Sequence, residues 1–355
     1  MIATENIIVR PIAESRLGEV DFEKLEFGRY VSDHMLICDY ANNEWETPKI
    51  LPFGDITISP TALALHYGQS VFEGMKAFRT NDNSINLFRI FKHHQRFNKS
   101  LSRMCMPAIP EQLFINGLTE LVKLDKDWIP GMDGAALYIR PFVFASEARF
   151  GVKISDEYKL IIFTGPTGPV FQKPLRVKVE TEFVRAAQGG TGAAKCSGNY
   201  GGAFYPTLKA KEAGYDQVLW TDARSHSFIE ESGMMNAFFV INDKVVTPPL
   251  SDSILDGVTR DSLLYLCTDL GMSIEERPVA VKELEEAFSN KTITEAFGAG
   301  TAAVVSPIET IHLNGTDYHL PEYSSQSKMF LLKNKLEAIR CGLEIDKHQW
   351  NFLVP

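Results

Sequence analysis

Apolar positions along the chain recur at two spacings, and the points where one gives way to the other predict its elements. Residues 71–79 and 84–89 read as a pair of strands around the turn-forming run Asn81-Asp82-Asn83. From about Phe91 the spacing lengthens, and Phe97, Leu101 and Met104 fall on one side of a helix. A second helix is expected from Pro110 to Leu124. Pro110 and Glu111 suit its start, and Phe114, Leu118, Leu121 and Val122 share its buried face. Residues 137–144 and 159–164 read as strands again.

The run Gly165-Pro166-Thr167-Gly168-Pro169, followed by Lys173-Pro174, interrupts this pattern. It predicts a linker over residues 166–175 between an N-terminal domain, residues 1–165, and a C-terminal domain, residues 176–355. Beyond it Leu175, Val177, Val179 and Thr181 alternate with Arg176, Lys178 and Glu180, the mark of a half-buried strand. Phe238–Ile241 and Val245-Val246 flank Asn242-Asp243-Lys244, which predicts a hairpin. One helix is expected from Thr259 to Leu270, stopped by Gly271. Another is expected from Ser325 to Cys341, burying Met329, Leu332, Leu336 and Ile339 and stopped by Gly342. Strands with helices interspersed make the fold class α+β rather than a doubly wound sheet.

Composition narrows the function more than the fold. The chain has 355 residues, 45% hydrophobic and 23% charged, as in ordinary globular proteins. A net charge of −9 argues against nucleic acid or an anionic membrane as partner, since both favour a basic face. The one dense positive stretch, Arg89 to Arg103, is short. No apolar run has the length of a membrane span, and Met1 to Arg10 lacks the order of a signal peptide. Five scattered cysteines without a C-x-x-C pair support neither a zinc site nor a disulfide framework, so no metal and a reducing cytoplasm are expected.

Candidate chemistry centres on Lys195, in a stretch with six glycines among residues 189–202. Glycine permits close approach of a ligand to the backbone. A phosphate loop of the G-x-x-x-x-G-K-[ST] kind is excluded by Ala194 and Cys196 on either side of the lysine. A cofactor-binding lysine and a solvated lysine in a flexible loop both fit the spacing. Asp256-Gly257-Val258-Thr259-Arg260 lies where a loop enters a helix, a seat for phosphate or an ordinary helix start. Phe297-Gly298-Ala299-Gly300-Thr301-Ala302-Ala303 ends a strand in a small-residue turn able to present N–H groups to an anion. Arg89, Arg96 and Arg103 recur every seven residues, and any of them could face a phosphate, a carboxylate or solvent. Tyr138 and Arg140 project from one face of a strand, where an arginine needs a partner or a cavity. Of the adjacent acids Glu230 and Glu231, only one can face inward on extended chain.

Taken together these segments resemble the branched-chain-amino-acid aminotransferases among the fold-type IV pyridoxal phosphate enzymes, most closely their longer, eukaryotic-like branch. The matching stretches run in order. They are Phe27-Gly28 with Asp33-His34-Met35, Leu65-His66-Tyr67 through Phe72-Glu73-Gly74-Met75-Lys76-Ala77-Phe78, and Leu87-Phe88-Arg89. Leu137-Tyr138-Ile139-Arg140-Pro141, the Lys195 stretch, Glu231 to Asn236, Pro248-Pro249 to Arg260 and Phe297 to Pro307 follow. The resemblance implies a smaller N-terminal α/β domain and a larger, strand-rich pseudo-barrel domain that binds pyridoxal 5′-phosphate. It implies transamination of leucine, isoleucine and valine with 2-oxoglutarate.

Residue by residue, the resemblance makes Lys195 the lysine that bonds to the cofactor aldehyde. Glu231 becomes the acid at the pyridine nitrogen, and Tyr200 the partner of the ring's phenolic oxygen. Arg96, Val258, Thr259 and Thr301 become the phosphate ligands. Phe27, Tyr67, Phe72 and Tyr138 match the apolar substrate pocket, Ala302 and Ala303 offer N–H groups to the substrate carboxylate, and Arg140 receives the side-chain carboxylate of glutamate. Phe150 and Val152 match a loop that closes a partner subunit's pocket, which implies a homodimer. Three departures from the pattern stand out. Ala303 and Ser306 stand where some members have C-x-x-C, so no thiol switch is expected. Met234 replaces a usual Thr, and Cys196-Ser197 a common Leu-Gly. Rival expectations are a D-amino-acid aminotransferase or aminodeoxychorismate lyase of the same fold and, in another class, a non-catalytic nucleotide- or anion-binding protein.

Overall fold

The computed structural model describes residues 6–132, 134–168 and 173–355. The chain forms two compact units. The first comprises residues 1–170, 194–198 and 339–355, and the second residues 171–193 and 199–338. The units are therefore not the contiguous blocks 1–165 and 176–355. Five residues around Lys195 and the C-terminal segment pack with the first unit, and these additions make it the longer of the two, the reverse of the expected proportions. Part of the expected linker, residues 169–172, lies outside the described residues, and residues 166–167 still belong to a strand.

The first unit is built on a largely antiparallel sheet. Its strands are β1 (His34–Ala41), β2 (Lys49–Pro52), β3 (Ser70–Phe72), β4 (Met75–Arg79), β5 (Ile85–Phe88), β6 (Ala136–Ala145) and β7 (Tyr158–Thr167). The order across the sheet is β2-β1-β7-β6-β4-β5. The C-terminal strand Asn351–Leu353 adds beside β5, and β3 pairs with β6. A short helix α1 (Leu63–Tyr67) precedes β3, while α2 (Ile90–Arg103) and α3 (Glu111–Leu124) follow β5. Phe97 and Leu101 of α2 and Phe114, Leu118, Leu121 and Val122 of α3 are buried, as their spacing predicts. They join one core with Leu36, Val71, Met75 and Ile139 from the sheet. The single strand read over 71–79 is broken in two. Phe72 is registered with Phe142 and Met75 with Ile139, which leaves Glu73-Gly74 opposite Arg140-Pro141. That break matters for the site.

The second unit is strand-rich and closes on itself. Its elements are β8 (Leu175–Val179), α4 (Gly198–Glu212), β9 (Gln217–Thr221), β10 (Phe228–Ser232), β11 (Met235–Ile241), β12 (Lys244–Thr247), α5 (Val258–Asp269), α6 (Val281–Ser289), β13 (Ile293–Gly300) and β14 (Val304–Leu313). A helix α7 (Lys328–Arg340) runs on into the C-terminal segment of the first unit. The order β11-β13-β14-β8-β9-β10 returns to β11 through the pairs Glu231–Asn236 and Ser232–Met235, so six strands form a ring. All seven residues of β11 are buried, and Phe238 stacks on its register partner Phe297 at 5.0 Å. The hairpin β11–β12 turns at Asn242 and Asp243, both with positive φ, as the sequence predicts. α5 ends before Gly271 and α7 before Gly342, each glycine left-handed. No helix among the described residues is long and apolar enough to cross a membrane.

Candidate active site

In the first unit the Lys195 segment is held by main-chain and hydroxyl contacts. The Phe72 N–H donates to the Lys195 carbonyl at 3.0 Å, and the Ser197 N–H donates to the Ser70 carbonyl at 3.1 Å. The Lys195 N–H in turn donates to the buried Ser100 Oγ at 3.0 Å. The ammonium nitrogen lies 4.9 Å from the Phe72 ring centroid. Cys196 is buried in the apolar core, a packed residue rather than an exposed nucleophile.

Three arginines recur every seven residues, and the structure separates them. Arg89 is left-handed at the N-cap of α2 and lies over the Trp350 ring at 4.9 Å, whereas Arg103 is exposed at the helix end. Only Arg96 is buried. Its Nε donates to Glu73 Oε2 at 2.9 Å and its Nη2 to Glu73 Oε1. Glu73 also accepts from His93 Nδ1 at 3.2 Å and from the Gly74 N–H at 2.8 Å. Burial alone would raise the Glu73 carboxyl, but the Arg96 charge and the hydrogen bonds from His93 and Arg96 override it and hold the group well below the usual carboxylate range.

Phe27, Phe72, Tyr138 and Arg140 come together on this unit. Arg140 Nη2 donates to the Tyr138 hydroxyl at 3.2 Å, so the two side chains do share a face. The guanidinium carbon lies 4.8 Å from the Phe72 ring and 5.3 Å from the Tyr138 ring, within cation–π range. Phe27 meets Tyr138 edge-on at 4.9 Å. Arg140 Nε is buried and has no hydrogen-bond partner among the described residues. A methyl on Gly74 would overlap the Tyr138 hydroxyl, so glycine there is what admits the phenol. Tyr67 ends α1, is 44% exposed, and has His66 as its ring neighbour. Phe150 and Val152 are 90% and 82% exposed and are not brought into this group.

In the second unit Glu231 is buried on β10 while Glu230 is half-buried, which resolves the pair. Glu231 Oε1 accepts from the Leu255 N–H at 2.8 Å and from Asn236 Nδ2 at 3.3 Å. Arg185 Nε stands 3.0 Å from Oε2, offsetting the cost of burying the charge. Arg185 is itself fixed by the carbonyls of Gly192, at 3.2 Å, and Ser253. The Glu230 carboxyl is pushed up by burial, with the neighbouring Glu231 charge adding, against the Ser253 hydrogen bond and Arg185.

Val258 and Thr259 are buried in the first turn of α5, behind Gly257, an N-cap with no side-chain cap. That end of the helix thus presents main-chain N–H groups, the donors a phosphate takes. Asn236 Nδ2 donates to the Leu255 carbonyl at 2.9 Å, and a methyl on Gly257 would overlap Asn236 Oδ1. Thr301, Ala302 and Ala303 form the turn between β13 and β14. It closes on Val304, a β-branched residue at φ 60°, a conformation that stores strain and recurs at functional turns. Tyr200 lies in the first turn of α4 and is half-buried.

Sequence reasoning missed four of these residues as partners: Glu73, Ser100, Arg185 and Asn236. An acid set between Phe72 and Gly74-Met75 is itself a signal, because a charge amid apolar neighbours needs a counter-ion. Arg185 and Ser100 carry no such local mark.

The donors and the fold define a class. The model of the amino-transferase class IV family matches residues 70–311, and the chain belongs to that family. A probable branched-chain-amino-acid aminotransferase of Staphylococcus aureus strain N315 is 44% identical over 337 residues, 94% of either chain. Branched-chain-amino-acid aminotransferase 2 of Bacillus subtilis strain 168 is 43% identical over 322 residues, 88% of this chain and 89% of that protein. The branched-chain amino acid aminotransferase of Thermobaculum terrenum, solved in its PLP form, shares the fold at a TM-score of 0.74 and 21% identity, covering 91% of this chain and 98% of that one.

Proposed function

We propose that the protein is a branched-chain-amino-acid aminotransferase, dependent on pyridoxal 5′-phosphate, that moves the amino group of leucine, isoleucine or valine to 2-oxoglutarate. The relatives' names support this reading, and the observation that carries it is Arg140. A guanidinium set against two aromatic rings, with a buried Nε that has no hydrogen-bond partner among the described residues, is built to meet a carboxylate beside apolar surface. A co-substrate with a second carboxylate and a donor with an aliphatic side chain both fit that surface.

The residues present suit the cofactor: a buried carboxylate, an uncapped helix N-terminus, a buried arginine and a lysine. When bound, pyridoxal phosphate supplies an electron sink for the charge left at Cα. Lys195 Nζ would anchor it and would serve as the base that takes the proton from the substrate Cα. Glu231 would keep a proton at the pyridine nitrogen, and Tyr200 would donate to the ring oxygen. Arg96, the N–H groups of Val258 and Thr259, and the Thr301 hydroxyl would hold the phosphate. Phe27, Tyr67, Phe72 and Tyr138 wall the side-chain pocket and exclude water, while the N–H groups of Ala302 and Ala303 bind the α-carboxylate. An apolar pocket separates substrates differing by a methylene by only ~1–3 kcal/mol, so all three donors react.

The protein acts in the cytoplasm as a homodimer, and the exposed Phe150 and Val152 support a loop that meets a second copy. Light scattering should return twice the chain mass, and a monomer would remove that part of the reading. For the activity, borohydride reduction of the loaded protein and peptide mapping should label Lys195. L-leucine should react in preference to D-alanine or aminodeoxychorismate. A label on another lysine, or a protein whose stability responds to ATP but not to pyridoxal phosphate, would overturn it.

A further inference from the structure

We infer that Glu73 is the positioning residue that fixes Arg96 for phosphate binding, an assignment resting on the proposed role of Arg96. Glu73 occupies the two-residue break between β3 and β4, where its N–H donates to the Pro141 carbonyl at 2.8 Å. Its side chain is wholly buried and meets α2, where His93 and Arg96 lie three apart on one face. The carboxylate spans the Nε–Nη2 edge of Arg96, so the guanidinium plane is set by Glu73. His93 donates through Nδ1, because a carboxylate can only accept, and this settles the tautomer.

A buried ion pair of this kind is a poor way to gain stability, since apolar residues of similar volume serve as well. What it gives is orientation, and its surroundings say orientation of what. Phe72, the residue before Glu73, donates its N–H to the Lys195 carbonyl, and Ser100, one turn after Arg96, accepts the Lys195 N–H at 3.0 Å. The elements that hold the ion pair therefore also hold the lysine main chain. Arg96 is locked in register with Lys195 by contacts made within one unit.

The test uses the full chain, stripped of cofactor and titrated with pyridoxal phosphate and, separately, with pyridoxal, which lacks the phosphate. Circular dichroism confirms that each variant is folded. Arg96→Gln should weaken pyridoxal phosphate and leave pyridoxal within about twofold. Glu73→Gln should do the same, with a loss of about tenfold or more for pyridoxal phosphate, as a charged hydrogen bond warrants. Glu73→Asp keeps the charge but reaches less far, and should fall between; it carries the test if Glu73→Gln does not fold. If Arg96→Gln is selective and both Glu73 variants bind like wild type, or lose both ligands equally, the positioning role is overturned and the Arg96 assignment stands. If Arg96→Gln shows no phosphate selectivity, the Arg96 assignment falls and takes this inference with it.

Discussion

Replacing Gly74 by alanine tests how the first unit sets Arg140, the arginine proposed to meet a substrate carboxylate. A methyl there would overlap the Tyr138 hydroxyl and come within 2.9 Å of Tyr138 Cζ. These atoms are the far end of a side chain, so the phenol shifts and the fold survives. Overpacking of this kind costs about 1–3 kcal/mol. The shift withdraws the hydroxyl from Arg140 Nη2, now at 3.2 Å, and moves the ring off the guanidinium, leaving Phe72 as its remaining aromatic support. A hydrogen bond to a charged group is worth about 1.5–3 kcal/mol, or roughly ten- to hundredfold in a rate ratio. Gly74→Ala should therefore lower kcat/KM for 2-oxoglutarate about tenfold more than for leucine. Tyr138→Phe should reproduce that selectivity without the stability loss, and in the Tyr138→Phe background Gly74→Ala should cost clearly less stability than it does alone. Equal losses for both substrates, or a stability cost unchanged by removing the hydroxyl, would refute the reasoning.

Arg185→Gln breaks the buried Arg185–Glu231 pair, and breaking such a pair costs about 3–5 kcal/mol; chemical denaturation should show it, and a loss under about 1 kcal/mol would mean the pair is dispensable. Gly257→Ala pushes Asn236 off Glu231 and the Leu255 carbonyl, so pyridoxal phosphate affinity should fall about tenfold in a folded protein, as read by titration. Asp125 is pushed up to about 6 by burial, against its bond to His34 Nδ1 at 2.6 Å, so the folded chain binds this proton more tightly than the unfolded one. Its contribution to stability is full below about pH 4 and is lost as pH rises through about 6, and the stability difference between wild type and Asp125→Asn, followed by urea unfolding, should change across that window and be flat above it.

What could be read from the sequence was whatever one element states alone. α2, α3 and α7 show an apolar face, the last closed by a left-handed glycine, and the β11–β12 turn shows its Asn-Asp pair. α4 shows nothing of the kind. Gly198, Gly201, Gly202 and Pro206 all argue against a helix, Phe204, Tyr205 and Leu208 are exposed, and only Ala203, Pro206 and Ala210 face inward. β11 hides its period because both of its faces are covered, and the ring closes through two residue pairs that no local pattern announces. The candidate residues divide in the same way. Lys195, Glu231 and the Tyr138–Arg140 pair stand out by spacing, whereas the ion-pair partners are fixed only in three dimensions: Glu73 is twenty-three residues from Arg96, and Arg185 lies on a segment without periodicity. A buried charge cannot be stable alone. An arginine or acid with no counter-ion at helix or strand spacing therefore states that a distant partner exists, while which partner it takes is decided by the packing.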